Sequence, residues 1–183
     1  MIKIWWDLDG VIRDLSGAIF KEPVKTWDQL IEGKYEFYPY VAEHMEVIEN
    51  APTTEYYETI YSYYRNGFKD TRKMNILTHQ PMDWRSRTEK WIKKYLSEAS
   101  YEITYVNSSA EKLTHIGDGV LFDDHPQLVG TPHVITIDAL YNRPDVDGCC
   151  RVTNGVQLRS ILDILFNPKT TLYEAIVCPL LEE

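Results

Sequence analysis

Apolar residues run almost without interruption from position 2 to position 6, with Lys3 the exception. A run that is apolar on both faces predicts a strand inside a parallel sheet rather than an exposed hairpin. Further short apolar runs predict strands over 74–78, 101–106, 120–122 and 133–137. Between and after them the apolar spacing turns helical. It predicts a helix over 86–97 with Trp91, Ile92 and Leu96 on one face, a short helix over 110–113, and a closing helix over 156–166 that turns Leu158, Ile161, Leu162 and Leu165 inward. Strands alternating with helices imply right-handed βαβ units. The expected fold is α/β, a three-layer Rossmann-like parallel sheet covered on both faces.

One segment breaks the alternation. Residues 15–69 carry mostly helical signals and no convincing strand: Thr26 as an N-cap before Trp27-Asp28-Gln29, a helix over 41–48, and Thr53 or Thr54 capping the segment from Glu55 onward. This segment is expected to be a small helical cap inserted after the first strand, with 1–14 and 70–183 forming the core domain. It is rich in tyrosine, Tyr35 and Tyr38 among them. Tyr57, Ile60, Tyr61, Tyr64 and Phe68 fall at helical spacing and read as core, whereas Tyr56 and Tyr63 lie off that stripe and are candidates for ligand contact. Residues 170–183 carry no clear signal.

Composition narrows the partners. The chain has 183 residues and a formal net charge of −9, with no block of lysines or arginines. A nucleic acid polymer or an anionic membrane surface needs a basic footprint, so neither is an expected partner. A small phosphorylated metabolite remains open, because one metal and one lysine suffice for it. Cys149, Cys150 and Cys178 form neither a disulfide framework nor a CxxC pattern. With no basic leader before an apolar stretch and no membrane-length apolar run, the chain reads as soluble and cytoplasmic, with a homodimer left open.

The candidate chemistry lies at strand ends. Asp7 and Asp9 close the first strand and project to the same side, since strand side chains alternate. Two close carboxylates repel unless a positive charge separates them, and a hard divalent cation is the usual solution. Gly10 then lets the chain turn without a Cβ in the way. In an open parallel sheet, ligands bind outside the carboxyl ends of the strands. Those ends carry Asp7 and Asp9, then Thr78, then Lys112 just before its strand, then Asp123 and Asp124. Two acid pairs, a hydroxyl and an ammonium suit phosphoryl transfer: a carboxylate as nucleophile, another as proton carrier, a magnesium ion against the charge, and Thr and Lys on the equatorial oxygens. Lys90, Lys93 and Lys94 are alternatives to Lys112, although their helix reads as a solvated face. His79, beside the candidate phosphate site, reads equally as structural.

This order of motifs resembles the haloacid dehalogenase-like phosphatases. The resemblance is carried by Asp7-Leu8-Asp9-Gly10-Val11, by Ile76-Leu77-Thr78, by Lys112, and by Leu121-Phe122-Asp123-Asp124, spread over the first two thirds of the chain. It implies Asp7 as nucleophile and metal ligand, and Asp9 as acid/base with its backbone carbonyl on the metal. It also implies Thr78 and Lys112 at the phosphate, where the neighbouring His79 is a further candidate, and Asp123 or Asp124, with Asp124 preferred, completing a magnesium shell. Within that superfamily the short length, the helical insert, the stretch from Trp91 to Leu96, and Leu140-Tyr141-Asn142-Arg143 followed by Arg151-Val152 are similar to the 5′(3′)-deoxyribonucleotidases and their bacterial and phage relatives. His79-Gln80-Pro81 departs from that family's usual continuation. The implied activity is a magnesium-dependent phosphomonoesterase working through an aspartyl-phosphate, with a nucleoside or deoxynucleoside monophosphate as substrate. The rivals are a phosphatase for a sugar phosphate or a nucleic-acid 3′-phosphate end, and a catalytically silent binding protein on the same fold.

Overall fold

A computed structural model describes residues 2–20, 23–27, 37–65, 73–142 and 149–169. The expectations for Asp28, Gln29, Tyr35, Phe68, Arg143, Cys178, the 69/70 domain boundary and residues 170–183 lie outside the described residues. Among the described residues, β1 (Ile4–Trp6) is followed by four short helices, α1 (Leu15–Ile19), α2 (Phe37–Glu43), α3 (Glu46–Asn50) and α4 (Tyr57–Ser62). Then come β2 (Met74–His79), α5 (Arg85–Tyr95), β3 (Tyr101–Val106), α6 (Ser109–Ile116), β4 (Val120–Asp123), β5 (Val134–Ile137), β6 (Arg151–Val152) and α7 (Gly155–Leu165).

The six strands pair in parallel in the order β3-β2-β1-β4-β5-β6. Alternation along each strand sorts side chains into two cores. Ile4, Trp6, Ile76, Val120, Phe122 and Ile135 face a layer made by α4, α5 and α7, through Ile60, Trp91 and Leu162. Trp5, Leu77, Val106, Leu121 and Val134 face the other way, against Ile116 of α6 and Leu128. The result is the three-layer α/β architecture that the apolar pattern predicts. Trp6, fully buried, stacks on Phe122 with ring centroids 4.3 Å apart, and its Nε1 donates to Tyr64 Oη over 2.9 Å. The tyrosine stripe behaves as core: Tyr57, Tyr61 and Tyr64 are buried with Ile60. Tyr63 stacks on Phe166 and donates to Asp163 Oδ1 over 2.6 Å, while Tyr56 is itself buried.

Two local expectations are corrected, and one short strand is added. The helix expected over 41–48 is two helices, broken at His44 and Met45. There the backbone tightens to i→i+3 bonds, Val47 N to His44 O and Ile48 N to Met45 O. Val41 and Ile48, seven residues apart, still reach one cluster with Leu15, Ala51 and Trp84, so side-chain spacing conceals the break. Thr54 does not cap α4; its hydroxyl donates to Val11 O over 2.6 Å and its N–H to Ile12 O over 3.0 Å, which ties the segment to the loop after β1. The edge strand β6 is two residues long, too short to leave an apolar signature.

Candidate active site

In the order 3-2-1-4-5-6 the chain runs outward from β1 to β3, then returns to place β4 on the other side of β1. The crevice at this switch point is where open α/β sheets bind ligands. Asp7 ends β1 there, its N–H donating to Phe122 O over 2.9 Å, and Asp123 and Asp124 end β4 beside it. After Asp7 the chain folds back at once. Ile12 N and Arg13 N both donate to Leu8 O, over 2.9 and 2.8 Å, and Gly10 N donates to Arg13 O over 2.8 Å. Gly10 carries φ +83°, and a β-carbon there would meet Asp124 Oδ2 at 2.0 Å. Only glycine satisfies both the turn and the approach of the second acid pair.

Lys112 comes from α6, whose N-cap Ser108 accepts from Glu111 N. Its ammonium is 2 % exposed and lies 2.7 Å from Asp123 Oδ2 and 3.0 Å from Asp7 Oδ1. The first contact is a hydrogen bond. The second is ionic only, and Asp7 Oδ1 is left buried without a hydrogen-bond partner. Asp123 accepts on both oxygens, its Oδ1 from His125 N over 2.8 Å. Tyr141 Oη donates to Asp124 Oδ2, and Asn142 Nδ2 donates to Asp124 O over 2.9 Å. Arg151 donates in turn to Asn142 Oδ1 over 2.6 Å.

Three buried carboxylates around one ammonium leave excess negative charge in a desolvated place. Burial pushes the Asp7 carboxyl up to about 7 against the pull of Lys112, with Asp123 and Asp9 adding repulsion. Burial, then Asp123 and Asp7, lifts Asp124 well above the usual carboxylate range. Burial alone would lower Lys112, but Asp123 and Asp7 outweigh it and the ammonium is held more firmly than a free one. Asp7, Asp123 and Asp124 each offer a carboxylate oxygen, all within 4.8 Å of one another. Hard oxygen donors, surplus negative charge and an orphaned buried oxygen on Asp7 fit a hard divalent cation.

Asp9 stands apart from that cluster. Its Oδ1 accepts from Arg13 Nε over 2.7 Å and its Oδ2 from Arg13 Nη2 over 2.9 Å, a bidentate pair, and Gln80 Nε2 donates to Oδ2 as well. The Asp9 side chain remains 28 % exposed.

Asp7, Asp9, Thr78, His79, Lys112 and Asp124 all line one cavity of about 480 Å³. Asp123 sits behind it, on Lys112. Burial and the Lys112 charge lower His79, and burial lowers His125, so both imidazoles are disposed to neutrality. Ser109 and Ala110 present the first turn of α6 to the same space, a favourable place for an anion. The cavity is also lined by aromatic rings: Trp27, Phe37, Tyr38 and Trp84. Phe37 and Tyr38 lie 6.1 and 5.5 Å from Trp84, and Trp27 meets His125 edge-on at 4.4 Å.

Reasoning from the sequence overlooked Arg13, Gln80, Thr88, Tyr141 and Asn142 as parts of the site. Arg13 carried a signal, a charge directly after the apolar pair Val11-Ile12. The polar pair Gln80 and Thr88 lies eight residues apart and offers no such signal. Among the described residues no helix is long and apolar enough to cross a membrane. No protein-family model matches the chain, and no curated protein matches it.

Proposed function

We propose that the protein is a magnesium-dependent phosphomonoesterase of the haloacid dehalogenase-like type, acting on a small phosphorylated metabolite, with a nucleoside or deoxynucleoside monophosphate as the preferred substrate. The observation that carries this reading is the union, at one switch-point cavity, of a buried three-carboxylate cluster with a buried lysine, a strand-end threonine and a helix N-terminus. A phosphate group is the ligand that uses all of them.

Asp7, Asp123 and Asp124 would hold the magnesium ion, which when bound offsets the charge of the carboxylates and of the phosphoryl oxygens. Asp7 supplies the nucleophilic oxygen. It bonds to phosphorus as the ester P–O bond breaks, and Asp9 gives its proton to the departing alkoxide. Asp9 then takes a proton from the water that attacks the aspartyl-phosphate, releasing phosphate and restoring Asp7. Lys112 and Thr78, with the first turn of α6, hold the equatorial oxygens as their charge redistributes. The aromatic wall supports a leaving group with a flat apolar face, as a nucleobase has.

The test is hydrolysis of p-nitrophenyl phosphate with and without magnesium, by the wild type and Asp7→Asn. Magnesium-dependent turnover that Asp7→Asn abolishes is expected; no metal-dependent turnover by the wild type overturns the reading. Rates on nucleoside monophosphates at or below those on sugar phosphates would overturn the nucleotide preference alone.

A further inference from the structure

Asp9 is held by a closed ring of side chains whose hydrogen-bond directions are all fixed by chemistry. Arg13 is fully buried and has only donors, so at Thr88 Oγ1, 3.2 Å from its Nη1, the hydroxyl must accept. The hydroxyl proton therefore goes to Gln80 Oε1, 2.8 Å away. That fixes the Gln80 amide with its oxygen toward Thr88 and its NH₂ toward Asp9 Oδ2. Arg13 closes the ring on both oxygens of Asp9.

Every member except Asp9 is buried: Arg13 and Thr88 at 0 % exposure and Gln80 at 4 %. The ring spans three parts of the chain and is tied to a fourth. Asp9 and Arg13 belong to the loop after β1, Gln80 follows β2, and Thr88 lies on α5; Arg13 Nη1 also donates to Ile48 O of α3 over 3.2 Å. The Arg13 guanidinium lies over the Trp91 ring, 5.5 Å from its centroid. The hydrogen bonds of Arg13, Gln80 and Thr88 go to Asp9, to one another and to Ile48 O, not to Asp7, Asp123 or Asp124. A polar ring of this cost is not needed to pack the core, and its one exposed member faces the cavity.

We infer that Gln80, Thr88 and Arg13 are positioning residues that hold the Asp9 carboxyl apart from the metal-binding cluster and aimed at the leaving-group oxygen of the substrate. The inference rests on the phosphatase reading, and adds to it which residues set the proton-carrying step. Arg13 fixes the carboxyl plane through two parallel bonds. Gln80 adds a second donor to Oδ2, so Oδ1, with Arg13 Nε alone, accepts one bond fewer. Thr88 acts at one remove, by orienting the Gln80 amide.

The experiment compares kcat/KM for two phosphate esters of similar size, benzyl phosphate and p-nitrophenyl phosphate. This ratio covers only the steps through departure of the leaving group. A benzyl alkoxide needs a proton as it departs, whereas p-nitrophenolate departs readily without one. In Gln80→Leu and Thr88→Val, benzyl phosphate is expected to lose on the order of 10²-fold, the lower range for a general acid, while p-nitrophenyl phosphate changes much less. Thr88→Ser, which keeps the hydroxyl, is expected to restore the wild-type ratio. Arg13→Lys, which keeps the charge but not the fork, should show the same split as Gln80→Leu. Thermal unfolding of each variant identifies those that fold, and the ratio is read on Gln80→Leu and Thr88→Val together. Equal loss on both esters, or no loss on either, overturns the inference and leaves the phosphatase reading standing. A wild type without magnesium-dependent turnover of either ester overturns both.

Discussion

Gly10 and Asp124 lie so close that no side chain fits between them: a β-carbon on Gly10 would sit 2.0 Å from Asp124 Oδ2. Residue 10 has φ +83°, where an L side chain is already strained by about 1–3 kcal/mol. Gly10→Ala is therefore expected to destabilise the fold by at least that amount and to push Asp124 out of the carboxylate cluster. Urea unfolding measures the first effect, and magnesium titration calorimetry the second. A variant with wild-type stability and wild-type magnesium affinity would contradict the contact.

Among the described residues, Lys112 is the cation paired with Asp7 and Asp123 in the carboxylate cluster. Lys112→Met leaves buried carboxylates without their counter-ion, a change that typically costs about 3–5 kcal/mol. Denaturant unfolding without metal should show a loss of this order, and saturating magnesium should recover part of it. A loss below about 1 kcal/mol, within the range of an ordinary surface change, would mean that Lys112 does not carry this charge balance.

Asp7 gives the metal-free protein a definite pH dependence. Its carboxyl rises from 3.8 to about 7 on folding, chiefly through burial. Between those values the folded state binds more protons than the unfolded chain, so stability contributed by this group is present at low pH and is lost as pH rises toward 7. The melting temperature in a chelator should therefore fall from about pH 4 to pH 7. Asp7→Asn should flatten part of that slope. A wild-type and an Asp7→Asn profile that run parallel through this window would contradict the assignment.

Tyr141 and Asn142 hold Asp124 from outside the cluster, through its carboxylate and its backbone carbonyl. Removing such a support usually costs about 10–100-fold in metal affinity. Tyr141→Phe is expected to weaken magnesium binding by that factor while leaving the fold intact. Manganese binding followed by electron paramagnetic resonance gives an independent readout. Unchanged affinity would assign Tyr141 to the cavity wall alone.

How much of this was legible in the chain depends on the range of the interaction. The strands could be read because their apolar runs record burial on both faces, as at Ile4 to Trp6 and Val120 to Phe122. The convergence of Asp7, Thr78 and Asp124 on one cavity followed from their places at strand ends, which parallel topology brings to one rim, and Lys112 joins them from the helix before β4. Pairing within the site did not follow. That Lys112 bridges Asp7 to Asp123 rather than facing the cavity alone depends on distances of a few ångströms between three elements. The ring of Arg13, Asp9, Gln80 and Thr88 was hidden for the same reason. Its hydrogen-bonded partners are 4 to 75 positions apart and are related only by the packing of α5 and α3. The break at His44 was hidden because both halves of the helix bury into one cluster.

The central claim concerns the chemistry of one atom, a carboxylate oxygen of Asp7. Rapid acid quenching during turnover of a phosphate ester, followed by peptide mass spectrometry, tests it most directly. A phosphoryl group is expected on the peptide that contains Asp7, formed with magnesium and absent from Asp7→Asn. Turnover by the wild type with that peptide unmodified, or with the phosphoryl group on another residue, would contradict it.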